Sequence, residues 1–157
     1  MNSGAKILVV DDESDVLMLC RVNLEYEGYD VVEAHNGQEA LERVAQESPD
    51  LILLDVMMAG MDGWQVLKTL KNNPETSNIP VVMLTAKVTE RDQITGLTGG
   101  ASDYITKPFN PVALSKSVRE ALDPDVVENI EERKAQTIEK LRWMEGQSGN
   151  GSAASSQ

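Results

Sequence analysis

Short apolar runs alternate along this chain with stretches whose apolar residues return every three or four positions. Residues 6–10 (KILVV), 30–34 (DVVEA), 51–54 (LILL), 81–84 (VVML) and 103–106 (DYIT) have the length and composition of strands. The middle runs lack polar alternation, as parallel strands covered on both faces require. Between them, five helical segments are predicted. The first follows Ser14, turns Val16, Leu17, Leu19, Cys20, Val22 and Leu24 inward, and ends at Gly28. The second covers about 37–47, and the third follows Asp62 and Gly63 with Trp64, Val66, Leu67 and Leu70 apolar. The fourth covers about 89–97. The fifth follows Pro111, with Val112, Leu114, Val118 and Leu122 apolar. Strands alternating with crossover helices predict an α/β fold, a doubly wound parallel sheet with helices on both faces.

Beyond Asp123 and Pro124 the pattern weakens. A charged stretch from Asp125 to about Glu145 keeps only a thin apolar seam, Val127, Ile130, Ile138, Leu141 and Met144, broken by Lys134. The closing GQSGNGSAASSQ is of low complexity and predicts no packed structure. The expected division is therefore a main domain over 1–123, a helical extension over 124–146 and a disordered tail over 147–157.

Composition narrows the function classes. A chain of 157 residues, 41% hydrophobic and 25% charged, can bury one core with a short appendage. No apolar run reaches membrane-span length, and the opening MNSGAKILVVDDE turns acidic at once, so a cytoplasmic protein without membrane attachment is expected. A formal net charge of −12 opposes nonspecific binding to nucleic acid or anionic lipid, and fits either protein partners or a halophilic source, which composition does not separate. Cys20, the single cysteine, excludes an internal disulfide and reads as a packed apolar residue. With one histidine, His35, expected in a surface turn before Asn36 and Gly37, no His/Cys metal site can be built.

Candidate chemistry lies just past the strands, because ligand sites of open parallel sheets form outside the carboxyl ends of the strands. The first strand is followed by Asp11, Asp12 and Glu13, the third by Asp55, the fourth by Thr85 and Ala86, and the fifth by Lys107 and Pro108. Like charges ~4 Å apart repel by roughly 4 kcal/mol at an effective dielectric of ~20. Such crowding requires either a carboxyl that keeps its proton or a hard divalent cation, and Mg2+ suits carboxylates with a carbonyl and retained waters. A flavodoxin-type phosphate loop needs Gly, Ser or Thr after the first strand, and DDES would repel a free phosphate. With a cation bound, the same residues would draw phosphoryl oxygens toward Asp55, whose carboxylate can act as a nucleophile. An aspartate at any one strand end reads more readily as a helix cap or turn residue. Five suitable residues on four successive strand ends do not.

The segments ILVVDDE, LILLDVMMAGMDG, PVVMLTA and GLTGGASDYITKPF, in this order and spacing, resemble the response-regulator receiver family in its single-domain, chemotaxis-regulator-like form, over Lys6 to about Leu122. The resemblance implies a flavodoxin-like five-stranded sheet in the order 2-1-3-4-5. It makes Asp55 the phosphoacceptor, Asp12 a direct Mg2+ ligand, Asp11 a ligand mainly through water, and Met57 the donor of a backbone carbonyl. Lys107 corresponds to the lysine that pairs with the phosphoryl group, Thr85 to the hydroxyl that moves to bond it, and Tyr104 to the switch aromatic. Trp64 reads as a packing residue. Ala59 replaces the family's usual proline, which loosens a turn, and Met57 and Lys87 flank the path of attacking water and bear on the lifetime of the phosphorylated state.

The implied function is a phosphoacceptor switch rather than a turnover enzyme, self-phosphorylating from phosphodonors and slowly self-dephosphorylating. Its partners would be a histidine kinase or phosphotransfer protein and a downstream effector. The effector face would comprise the fourth helix, fifth strand and fifth helix. A monomer or weak phosphorylation-dependent dimer is expected. A relay shuttle, or the receiver part of a truncated longer regulator, fits the same residues. A haloacid-dehalogenase-type phosphatase would need a D-x-D pair after the first strand and an inserted cap, neither of which is visible. A DNA-binding domain finds no basic cluster after Leu122.

Overall fold

The computed structural model describes residues 4–86, 99–123, 135 and 138–143. Its elements in chain order are β1 (Lys6–Val10), α1 (Ser14–Tyr26), β2 (Asp30–Ala34), α2 (Gly37–Glu47), β3 (Leu51–Asp55), α3 (Gly63–Asn72), β4 (Val81–Thr85), β5 (Asp103–Thr106) and α4 (Pro111–Leu122). The five strands are parallel, in the order β2-β1-β3-β4-β5. This is the flavodoxin-like sheet expected from the sequence.

Position in the sheet explains strand composition. Every residue of β3 and β4 is buried, because both faces of these inner strands are covered. The outer strands β2 and β5 admit polar residues such as Asp30, Glu33 and Asp103. Two apolar layers result. Ile7, Val9, Leu53 and Leu84 pack with Leu17, Cys20 and Leu24 of α1 and Leu114 and Val118 of α4. Leu8, Val10, Ile52 and Met83 pack with Ala40 and Val44 of α2 and Val66, Leu67 and Leu70 of α3.

The helix starts follow local chemistry. Asn36 and Asn110 each accept a hydrogen bond from the third backbone N–H of the helix they cap, and Pro111 stands where no backbone donor is needed. Asp62 and Gln65 form a reciprocal capping box at α3. Gly28 takes a φ of +96° just after α1, a left-handed conformation that costs glycine little.

The expected inward face of α1 needs correction. Leu17, Cys20 and Leu24, spaced by three and four, are buried, but Leu19 is 41% and Val22 60% exposed. At 100° per residue these two fall on the flank and back of the helix, and apolar identity does not move them inward. The expected helix at 89–97 lies outside the described residues, as does most of the extension. Residues 138–143 are helical, with Leu141 buried.

Candidate functional site

Four strand ends converge at one edge of the sheet. Asp11 follows β1, and its backbone N–H donates to Ala34 O at 3.1 Å, extending the pairing with β2 by one bond. Asp11 Oδ1 accepts the backbone N–H of Glu13 at 2.9 Å, which fixes the carboxylate within its own turn. Asp55 and Thr85 are the last residues of β3 and β4, each one residue beyond the apolar run that precedes it. The Thr85 carbonyl accepts the Lys107 backbone N–H at 2.7 Å, which delivers the lysine to the rim directly after β5.

The charges are then brought together. Lys107 Nζ lies 2.7 Å from Asp11 Oδ2, 3.3 Å from Asp55 Oδ1 and 3.7 Å from Glu13 Oε1. Asp55 Oδ1 also accepts a 3.4 Å bond from the backbone N–H of Met57. Asp11, Asp55 and Thr85 are buried, whereas Asp12 and Glu13 reach water. Burial first, and the neighbouring Asp11 second, push the Asp55 carboxyl up to about 6, against the opposing pull of Lys107. The Lys107 ammonium is raised: burial works against its charge, but the close approach and attraction of Asp11 and then Asp55 outweigh it. At neutral pH the rim therefore holds a mostly ionised Asp55 carboxylate beside a firmly cationic lysine.

Among the described residues, one ammonium, that of Lys107, faces the carboxylates of this site. Asp11, Asp12 and Asp55 can each offer a carboxylate oxygen, all within 4.8 Å of one another. Asp11 Oδ2 is fully buried and, although close to Lys107, lacks a hydrogen bond of good geometry. An all-oxygen, net-negative donor set whose buried Asp11 oxygen lacks a well-aligned hydrogen bond fits a hard divalent cation.

Of the other residues singled out from sequence, Met57 is 73% exposed, and its contact with the site is the backbone N–H bond to Asp55. Tyr104 is half-buried on β5 and meets Trp64 edge-on. Lys87 lies outside the described residues. Cys20 is a packed residue whose thiol burial, followed by the charge of Asp11, pushes up to about 12, which makes it unreactive. His35 is exposed and contacts Glu39 one helical turn away. Sequence reasoning missed two features. One is the Glu13 backbone bond that orients Asp11. The other is a clamp on the loop after β3, where Val56 N–H donates to Leu84 O and Val56 O accepts from Gly63 N–H, both at 2.9 Å. The Asp62-Gly63 pair was the available signal for the second.

A five-stranded 2-1-3-4-5 sheet with this acidic rim and lysine defines a receiver-type signalling domain. Residues 7–119 match the response regulator receiver domain, and the chain belongs to that family. The alkaline phosphatase synthesis transcriptional regulatory protein PhoP of Bacillus subtilis is 48% identical over 117 residues, 74% of this chain and 48% of that protein. Response regulator PleD of Caulobacter vibrioides is 48% identical over 116 residues, 74% of this chain and 26% of its own length. The structure of the chemotaxis protein CheY4 of Vibrio cholerae superposes with a TM-score of 0.72 at 32% identity, covering 75% of this chain and 98% of that one. The chain thus spans about half or less of these two curated relatives. No helix among the described residues is long and apolar enough to cross a membrane.

Proposed function

We propose that this chain is a phosphoacceptor response regulator, in which a phosphoryl group passes from a phosphohistidine of a kinase or phosphotransfer protein to Asp55 and alters the domain's protein contacts. The observation that carries this reading is a buried, ionisable Asp55 lying 3.3 Å from Lys107 and clustered with Asp11 and Asp12. An Asp55 carboxylate oxygen forms the new bond to phosphorus while the histidine N–P bond breaks, its electron pair staying on the imidazole. Lys107, held cationic by the two carboxylates, faces the charge on the phosphoryl oxygens. Asp11, Asp12, Asp55 and the Met57 backbone carbonyl would hold Mg2+. Bound there, it supplies positive charge beside the transferred group.

The phosphorylated carboxylate offers a strong acceptor to the Thr85 hydroxyl. Movement of Thr85 would open space for Tyr104 and bias the face formed by residues 89–97, β5 and α4, where an effector protein would dock. The reading covers a receiver unit over 1–123, with 124–146 as a helical extension that contacts a partner. A monomer or a weak phosphorylation-dependent dimer is consistent with it.

The test is direct. Asp55→Asn should abolish Mg2+-dependent labelling by acetyl phosphate and the binding of beryllofluoride, while the circular dichroism of the folded chain is retained. Undiminished labelling of that variant refutes the assignment.

A further inference from the structure

Trp64 stands in the first turn of α3, where the phosphoacceptor reading gives it no part. Three observations tie it to both ends of that reading. The residue before it, Gly63, is pressed onto the backbone of Asp55 itself: a Cβ at position 63 would lie 2.3 Å from the Asp55 carbonyl oxygen and 2.8 Å from Val56 Cα. Only a glycine allows this approach without moving the strand end. The capping box of Asp62 and Gln65 and the Gly63 N–H bond to Val56 O then fix the turn that carries Trp64.

The third observation lies at the other end of the side chain. The Trp64 and Tyr104 rings meet with centroids 6.4 Å apart and planes at 65°, the edge-to-face arrangement that aromatic quadrupoles favour. Both rings pack against the apolar layer under α2 and α3. Met83 pairs with Tyr104 and Thr85 with Thr106, so strand alternation puts Thr85 and Tyr104 on this same face of the sheet.

The geometry points to Trp64 as a positioning residue of the switch. Its ring braces Tyr104 while Gly63 anchors it to the Asp55 backbone, so a change at the carboxylate rim reaches Tyr104 through α3 as well as through Thr85. This rests on the phosphoacceptor reading of Asp55 and adds a second mechanical route to it. A tryptophan that only fills space under β5 would contribute to stability without knowing whether the rim is occupied.

The chain has two tryptophans, and the other, Trp143, is 64% exposed. Trp143→Phe therefore leaves Trp64 as the only indole reporter in the full chain. In this background, beryllofluoride with Mg2+ is titrated while binding is followed by the fluorine resonance of the bound anion, which does not depend on tryptophan. The expected result is a Trp64 emission change that tracks binding and is lost when Tyr104→Leu is added, although the anion still binds.

Affinity supplies the second readout. Trp64→Leu should change beryllofluoride affinity at least about threefold when Tyr104 is present and less than about 1.5-fold when Tyr104→Leu is already in place, the non-additivity expected of a coupled aromatic pair. Binding with a silent Trp64, an emission change that survives Tyr104→Leu, or equal effects of Trp64→Leu in both backgrounds each overturns the brace and leaves the Asp55 assignment standing. Absence of a bound fluorine signal in the parent chain overturns the Asp55 assignment and the brace with it.

Discussion

Leu53 and Asp55 stand two residues apart on β3, on the same face of the sheet by strand alternation, and both are shielded from water. Their burial acts on stability in opposite senses. Removing the leucine side chain from water contributes roughly 1.5–3 kcal/mol. Burying the aspartate disfavours its charged form, and the approach of Asp11 adds to that cost. The middle of the sheet therefore holds the fold together, while its carboxyl edge is kept at some expense to stability. Crowded, buried carboxylates of this kind are characteristic of binding sites, and the proposed cation and phosphoryl group would offset the charge of the rim.

The largest stability effect expected is on the apolar side of this comparison. Leu53→Ala should destabilise the domain by about 2–5 kcal/mol, since the residue is fully buried between β1, β4 and the helices α1 and α4. Urea unfolding followed by circular dichroism measures it. A loss below about 1 kcal/mol would mean that the inner sheet is far more plastic than its packing indicates.

Asp55→Asn should move stability the other way, and only in part of the pH range. The folded-state carboxyl is raised from 3.8 to about 6, so its favourable contribution is fully present below about pH 4 and is lost as pH rises through about 6. A carboxyl raised that far has its charged form disfavoured by roughly 3 kcal/mol. In the presence of a chelator, Asp55→Asn should thus stabilise the domain by about 1–3 kcal/mol at pH 7.5, and by little near pH 4. On the proposed metal reading, saturating Mg2+ should narrow the gap, because binding would stabilise the parent more than a variant with one carboxylate fewer. Destabilisation by Asp55→Asn at neutral pH, of the size expected for Leu53→Ala, would erase the distinction between rim and core.

Much of this was legible in the sequence, for reasons that also mark where legibility ends. β1, β2 and β5 lie where their residue runs suggested, because a period of two or an unbroken apolar run is a local signal. β3 and β4 extend one residue further, onto Asp55 and Thr85, since pairing with a neighbouring strand is not encoded in hydropathy. The meeting of Asp11, Asp55 and Lys107 followed from topology, which gathers strand ends at one edge. The Glu13 bond to Asp11, the clamp at Val56 and the contact of Trp64 with Tyr104 did not. They depend on loop closure and on residues far apart in the chain, and Trp64 looks like any apolar residue of an amphipathic helix until β5 is laid beside it.

The smallest expected effect sharpens the comparison within one helix. Val22 on α1 was expected inward and is mostly exposed, whereas Leu24, two residues on, is fully buried. Val22→Ala gives up little burial and gains a few tenths of a kcal/mol in helix propensity, so its net effect should stay within about 0.5 kcal/mol of zero. Leu24→Ala, by the argument for Leu53, should cost about 2–5 kcal/mol. Equal losses at the two positions would mean that the outward apolar residues Met18, Leu19, Val22 and Tyr26 are covered in solution. A concentration-dependent unfolding midpoint would then identify a second copy as the cover. A loss confined to Leu24→Ala places the boundary of the core between residues 22 and 24, where geometry rather than hydropathy draws it.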